Sequence, residues 1–327
     1  MPLGLKKWLD LLATKPLPVL GTSLSALKLQ MDNPQLALVD YAKPVLDDPA
    51  LAVLLLKQAN QSRQSSGRGP LTTLSNALSH LGRGQLEQQL MQAHRLDQLG
   101  LAEQNTEGYR AAVAAACHGA YLALDWAQQR NTHEPEEMQL AALLQFLAEM
   151  ALWVHGGKVM PDIESRCYGQ HLSYDQAAEQ VLGCSMRSLG AELAKAWAQP
   201  ELAVQSLELK GQDYTLASGV VLASRLARLV QHSWHDRLAH RCLDNIAQYK
   251  GHSLSEIEPQ IHQHAVALSD HFMALRFTPP ARLLPMLVDE DYVDAKYIMA
   301  EAMPPLPESS QNTITSQLAS KLNKQKT

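Results

Sequence analysis

The chain has 327 residues, of which 46% are hydrophobic and 19% are charged, and its formal net charge is −5 at pH 7. These proportions are ordinary for a globular protein, and the negative charge excludes a general electrostatic attraction to nucleic acid or to anionic lipid. No apolar run is expected to be long enough to cross a bilayer, and the N-terminal segment reads as a short amphipathic helix rather than a signal peptide. We therefore expect a cytoplasmic protein that contacts neither nucleic acid nor membrane.

The cysteine spacing and the residue composition limit the fold further. No two cysteines have Cys-x-x-Cys spacing, which argues against a zinc knuckle or a disulfide framework and fits a reducing compartment. Aromatic residues make up only 5% of the chain, and leucine, alanine and glutamine dominate, which favours helices. Because no alternation of apolar and polar residues is long enough for a strand, we predict an all-α fold.

Helix signals begin soon after the N-terminal segment. Thr22 or Ser23 is placed to cap a helix whose apolar residues recur at helical spacing. Asn33-Pro34 is placed to open the next helix, in which Leu36 and Val39 would face inward until Pro44 ends it.

A buried helix is predicted next. The run at residues 50–60 is apolar on nearly all faces and follows Asp48-Pro49, a favourable start for a helix. After a polar loop, a helix is expected to end at Gly82, and a further amphipathic helix follows it. The polar, glycine-flanked stretch at residues 100–108 predicts a hinge between two units.

Helical patterns resume beyond this stretch, at about residues 109–130, 137–154, 174–182, 187–198, 201–210, 214–235, 238–250 and 255–277. Prolines then recur, and the polar, lysine-rich end of the chain is expected to be largely irregular. We accordingly divide the chain into an N-terminal helical lobe at residues 1–105, a second helical lobe at 106–277 and a tail at 278–327.

Six strings along the chain carry a family resemblance. LPVLGTSLSALKL, VLDDPALAVLLLKQAN and LTTLSNALSHLG occur in order in the first lobe, and CHGAYLALDWA, LAALLQFLAEMALW and LGCSMRSLGAELAKAWAQPE follow in the second. Together they resemble the HDOD domain, the HD-related output domain of bacterial signalling proteins. The resemblance covers about residues 16 to 275. It implies a multi-helix HDOD-like architecture whose second lobe is related to HD phosphohydrolases.

Hydrolytic HD enzymes bind one or two metals through a His, a His-Asp pair and a later Asp, and the metals activate water. By position, His118 matches the first His, whereas Gln145 and Phe146 replace the His-Asp pair and Met186 replaces a further His. An amide and a phenyl ring cannot substitute for an imidazole and a carboxylate around a divalent cation. The resemblance therefore implies a degenerate HD-like lobe without metal, cofactor or catalytic residues. These four residues would line a residual pocket.

An arginine cluster and a histidine pair are two further candidate sites. Arg63 and Arg68 lie in a loop rich in glycine and serine, and Arg83 is near them in sequence, so this locally basic region is a candidate surface for a partner or an anion. The ordinary alternative is a solvated face. His232 and His235 have helical spacing but no evident set of additional ligands, so we interpret them as solvated or partner-facing rather than metal-binding.

The sequence thus predicts a non-catalytic bacterial signal-transduction or regulatory protein that binds a protein partner or a small ligand. Two alternatives remain open at this point. One is a divergent metal-dependent phosphohydrolase built on His118 and unrecognised ligands, and the other is a metal-free nucleotide sensor that keeps the pocket.

Overall fold

The structure is a computed structural model that describes residues 2–33, 35–170, 172–208 and 214–288. The described residues contain no β-strand, and the all-α prediction is confirmed. The helices of the first part of the chain are α1 Leu5–Leu12, α2 Gly21–Met31, α3 Ala42–Leu46, α4 Pro49–Ser65, α5 Leu74–Gln92 and α6 Glu103–Gln129. They are followed by α7 Pro135–Leu143, α8 Leu147–His155, α9 Val159–Gln170, α10 Tyr174–Leu182, α11 Met186–Ala196, α12 Glu201–Glu208, α13 Tyr214–Leu229, α14 Arg237–Lys250, α15 Leu254–Ala267 and α16 Ser269–Ala274. Short 3₁₀ helices occur at Leu38–Tyr41, Leu96–Gln98, Leu144–Phe146 and Pro280–Val288.

Helix α4 begins where Asp48-Pro49 predicted, because Asp48 caps it. The Asp48 carboxylate accepts hydrogen bonds from the backbone N–H groups of Ala50 and Leu51, at 3.0 and 3.3 Å. Its other oxygen accepts the N–H of Leu20 at 2.7 Å, which fixes the residue before α2 against the start of α4. Burial raises the pKa of Asp48 to about 6, against the lowering effect of these donors.

Helix α6 is the central element of the fold. It packs against α7, α8 and α13 and also contacts α4, so one continuous hydrophobic core extends through both predicted lobes. Gly119 lets α13 approach closely, since a Cβ at this position would lie 3.0 Å from the Cα of Ser224. At the start of α6 the Tyr109 hydroxyl donates to the carbonyl of Pro18 at 2.6 Å.

Several local predictions need correction. Helix α2 begins at Gly21, and no side chain caps it, so Thr22 and Ser23 lie in its first turn. Val39 is 47% exposed rather than inward-facing. The hinge predicted at residues 100–108 is wrong from Glu103 onward, where α6 begins; its first turns are polar because they face solvent.

Other boundaries are closer to prediction. Gly82 does interrupt α5, with a left-handed φ of 70°, but a second helical segment continues without a loop. Helix α9 was not predicted. Pro34 and residues 289–327 lie outside the described part of the chain, so the tail prediction is addressed only by the 3₁₀ helix at Pro280–Val288.

The expectation that no apolar run is long enough to cross a bilayer is wrong for one stretch of the chain. The stretch Pro135–His155, which spans α7 and α8, has 21 residues, and an 18-residue window within it reaches a mean hydropathy of 1.2, which suffices by length and composition. However, 83% of its apolar window is buried inside the described structure. Packing against α6, α11, α12 and α13 accounts for its hydrophobicity.

Asn60 on α4 joins distant parts of the fold. Its amide nitrogen donates to the carbonyl of Ala198 at 2.8 Å and of Leu71 at 3.3 Å, and its oxygen accepts the N–H of Leu71 at 2.7 Å. The side chain is buried. It therefore fixes the loop after α4 and the segment before α12 at the same place.

We predict that Asn60→Ala lowers the free energy of unfolding by about 1–3 kcal/mol, because it leaves buried main-chain groups unpaired. Urea unfolding followed by circular dichroism measures the change. Gln61→Ala, which removes an exposed amide from the same helix, serves as the control and is expected to change stability by less than about 0.5 kcal/mol. Equal effects of the two substitutions would contradict this role of Asn60.

Candidate functional site

His118 lies on α6 and is only 2% exposed. Its ring meets that of Phe272 edge to face, with centroids 6.4 Å apart, and its Nε2 has no hydrogen-bond partner among the described residues. Burial, and secondarily the nearby His264, lower the pKa of His118 to about 3, so the imidazole is neutral at pH 7. The residue lines a cavity of about 460 Å³.

Gln145 lies in the 3₁₀ turn that interrupts the helical run between α7 and α8. Its amide nitrogen donates to the carbonyl of Ala141 at 3.0 Å and to the hydroxyl of Ser206 at 2.8 Å. The Ser206 hydroxyl in turn donates to the carbonyl of Ala203 at 2.9 Å. The amide therefore joins the 3₁₀ turn to α12.

Phe146 is buried beneath a cation. The guanidinium carbon of Arg228 lies 4.7 Å from the centroid of the Phe146 ring and equally far from that of Tyr174. Arg228 also pairs with Glu149, which is only 4% exposed. Phe146 is thus part of a cluster with Glu149, Tyr174 and Arg228.

Met186 is the first residue of α11 and is buried. The next residue, Arg187, donates to the carbonyls of Ser206 and Leu207 at 2.8 and 3.1 Å, and so caps the end of α12. Gln145 and Arg187 of α11 therefore both donate hydrogen bonds to Ser206. The lining of the cavity beside His118 includes none of Gln145, Phe146 and Met186, so the four predicted pocket residues do not share that cavity.

These positions do not fit a catalytic metal. In the part of the chain that the structure describes, no group of three or more His, Cys, Asp or Glu side chains is arranged to hold a cation. The ring partner of His118 is Phe272, and the partner of Gln145 is the Ser206 hydroxyl. Neither set offers the several anionic or imidazole ligands that a divalent metal requires.

The three arginines proposed as a contact surface have separate local roles. Arg63 donates to the carbonyl of Gly69 at 2.6 Å and closes its own loop. Arg83 pairs with Glu87 at 3.0 Å and donates to the carbonyl of Met31 at 2.6 Å. Arg68 is exposed. Their role in binding a partner stays a prediction.

A polar network ties α16 to the rest of the fold. The carboxylate oxygen Oδ1 of Asp47 accepts the Tyr121 hydroxyl at 2.7 Å and lies 2.8 Å from Nε2 of His271. The Cys117 thiol donates to the carbonyl of Asp47 at 3.3 Å, and burial holds the pKa of this thiol well above its ordinary value. Asp47 therefore connects the segment before α4 with both α6 and α16.

Sequence reasoning missed two arginines beside His118. Arg110 and Arg276 line the cavity of about 460 Å³ together with His118. Both also line a neighbouring cavity of about 560 Å³ at the start of α2. The two residues are 166 positions apart, and no local pattern marks either of them, so only the fold brings them together.

We predict that His118→Leu changes the pH dependence of stability. In the unfolded chain His118 takes up a proton near its ordinary pKa of 6.5, but the native imidazole resists protonation until about pH 3, so acid favours unfolding. Between pH 7 and pH 5 the unfolding free energy of the wild type should fall by about 2 kcal/mol more than that of the variant. Urea unfolding at both pH values measures this difference.

His133→Leu is the matched control, because His133 is exposed and the substitution is the same. It should keep the pH dependence of the wild type. The nearby His264, whose pKa is also lowered by burial, is present in all three proteins and cancels in the comparison. A His118→Leu protein with the wild-type pH dependence would show that His118 is not held neutral by its surroundings.

Comparison with known proteins agrees with this architecture. A family model described as the HDOD domain matches residues 17–212. No curated protein matches the chain.

Two solved structures show the same fold. The MmoQ response regulator of Methylococcus capsulatus is 19% identical, with a TM-score of 0.56, and the match covers 73% of this chain and 99% of that one. A virulence factor from Campylobacter jejuni is 15% identical, with a TM-score of 0.60, over 80% of this chain and 95% of that one. At such identities the likeness concerns the fold alone. The family model, in contrast, covers more than half of the sequence and confirms the resemblance drawn from its motifs: the chain belongs to the HDOD family.

Proposed function

We propose that the protein is a non-catalytic regulatory protein of bacterial signal transduction, which binds a protein partner or a small ligand through its HDOD scaffold. The observation that carries the proposal is that Gln145 and Phe146 make structural contacts with neighbouring helices. Both side chains stand where HD enzymes would place metal ligands, and both are engaged in contacts that stabilise the helices around them.

Electrostatics at this position support the proposal. The guanidinium of Arg228 packs over the Phe146 ring and is paired with the buried Glu149. The guanidinium occupies the face of the ring, and the one carboxylate of the cluster is engaged in the ion pair, so the cluster leaves no free anionic ligand for a divalent cation. The cluster therefore provides packing and charge balance in place of metal binding.

Relatives give the role its context. One of the structural neighbours is named as a response regulator, which fits a signalling role. We further propose that the protein acts in the cytoplasm, away from nucleic acid and membrane, with net charge −5 as support. Arg63, Arg68 and Arg83 are its proposed partner-facing side chains.

Metal analysis and a hydrolysis assay test the absence of catalysis. We expect the purified protein, after incubation with iron, manganese or zinc and removal of free metal, to hold well under one metal per chain. Its rate of bis(p-nitrophenyl) phosphate hydrolysis should equal that of the His118→Leu variant, because neither protein is expected to catalyse the reaction. His118 is chosen because it is the one position that matches a metal ligand of HD enzymes. Mass spectrometry of the metals and absorbance of nitrophenol give the two readouts.

The opposite result would identify the rival function. Stoichiometric metal, together with phosphodiesterase activity that His118→Leu abolishes, would establish a divergent phosphohydrolase and overturn the non-catalytic proposal. Activity that survives in His118→Leu would point to a contaminating enzyme, and repurification of that variant would remove it.

A further inference from the structure

Building on the proposed regulatory function, we propose that the protein binds a phosphate-bearing small molecule of mononucleotide size. The site is a cleft made of the two adjoining cavities that Arg110 and Arg276 share. We call the cavity at the start of α2 the anion end and the cavity beside His118 the body end.

The two ends form one site because the same arginines line both. The Arg110 guanidinium donates to the carbonyl of Arg276 at 2.5 Å and lies 5.7 Å from the centroid of the Phe277 ring. The cavities measure about 560 and 460 Å³, and each is within the range of small-molecule sites. A ligand that spans them would contact α2, α6 and the segment after α16 together.

Backbone donors and positive charge meet at the anion end. Gly21 and Thr22, in the first turn of α2, line this cavity, and no side chain caps that turn. The unpaired N–H groups and the dipole of an uncapped helix start attract an anion. This helix start lies beside three arginines, a combination that recognises phosphate.

The charges at the anion end are not balanced within the described chain. Arg95, Arg110 and Arg276 line it, with Asp97 as the only carboxylate, and Asp97 is held by Arg95 through bonds of 2.9 and 2.5 Å. Burial, and secondarily Arg276, lower the pKa of Arg110, so its charge is disfavoured without a counter-ion. A bound phosphate would supply the missing negative charge.

Gly21 keeps this arrangement open. A Cβ at Gly21 would lie only 2.9 Å from a terminal nitrogen of Arg95, so any larger residue would displace the guanidinium. The absence of a side chain therefore allows a cation to lie directly against the start of α2.

The body end has both apolar and polar walls, and Glu107, Gln231 and Arg282 form part of the polar side. Phe272, Phe277 and Leu283 line it, and His118 is buried in its wall with Nε2 unpaired among the described residues. An apolar or aromatic ring would pack against the apolar wall, and a hydrogen-bonding group on the ring has polar side chains in the same cavity with which to pair. These properties select a phosphate ester with a ring over free phosphate.

Isothermal titration calorimetry on the full chain tests the proposal with four probes: AMP, GMP, adenosine and pyrophosphate. We expect at least one mononucleotide to bind, and adenosine and pyrophosphate to bind about tenfold more weakly, because each of them fills only one end. Arg276→Glu should weaken mononucleotide binding by about 10- to 100-fold, the loss expected for a charge-assisted contact.

Lys7→Glu is the control, since it makes the same charge change at an exposed side chain outside the cleft. It should alter affinity by less than about twofold. Arg276 is itself exposed, so the variant is expected to fold, and a circular dichroism melt verifies this. Arg110→Gln provides a second variant if Arg276→Glu proves unstable.

Three results would overturn the inference. These are the absence of binding by every probe at about 1 mM, equal binding of adenosine and AMP, or equal effects of Arg276→Glu and Lys7→Glu. Failure here is distinct from failure of the proposed function. Hydrolysis of a bound mononucleotide would contradict the non-catalytic role and leave the site in place, whereas a protein without activity and without binding would contradict the site alone.

Discussion

The adjacent carboxylates of Asp47 and Asp48 are the constraint on which the rest of the structure depends. Asp48 caps α4 and holds Leu20, which sets where α2 begins. Asp47 binds Tyr121 on α6 and His271 on α16. Two neighbouring side chains thus position four helices, of which α2, α6 and α16 contribute residues to the walls of the cavities. Because both carboxylates are buried, their hydrogen bonds are needed to offset the unfavourable removal of charge from water.

Under the proposed function, the positions that match metal ligands of HD enzymes have different roles in this chain. Gln145 donates to Ser206, and Phe146 packs beneath the Arg228 guanidinium, so both side chains belong to the packing between helices. His118 differs from them: its Nε2 pairs with no polar group in the described chain, and the residue lines a cavity.

Local chemistry explains which features were predictable from sequence. Asp48-Pro49 and Gly82 act on their own segment of backbone, so their effects are visible without the fold. The hinge prediction at residues 100–108 failed because the solvent-facing first turn of a helix has the composition of a loop, and only the fold distinguishes the two. Arg110 and Arg276 were missed because their proximity depends on how α16 docks. The family motifs indicated the core of the domain, and they carry no information about Arg95, Arg110 and Arg276, which lie outside them.

The isolated bridge between Val19 and Arg95 has a consequence for how such a protein can change over time. The N–H of Val19 donates to the carbonyl of His94 at 2.8 Å, and its carbonyl accepts the N–H of Leu96 at 3.0 Å. These bonds use main-chain atoms alone, so they survive replacement of the side chains at these positions. Mutational drift can therefore exchange the residues that face the neighbouring cavity while the spacing of its walls stays fixed. A lineage could in this way acquire a different ligand preference without rebuilding the scaffold.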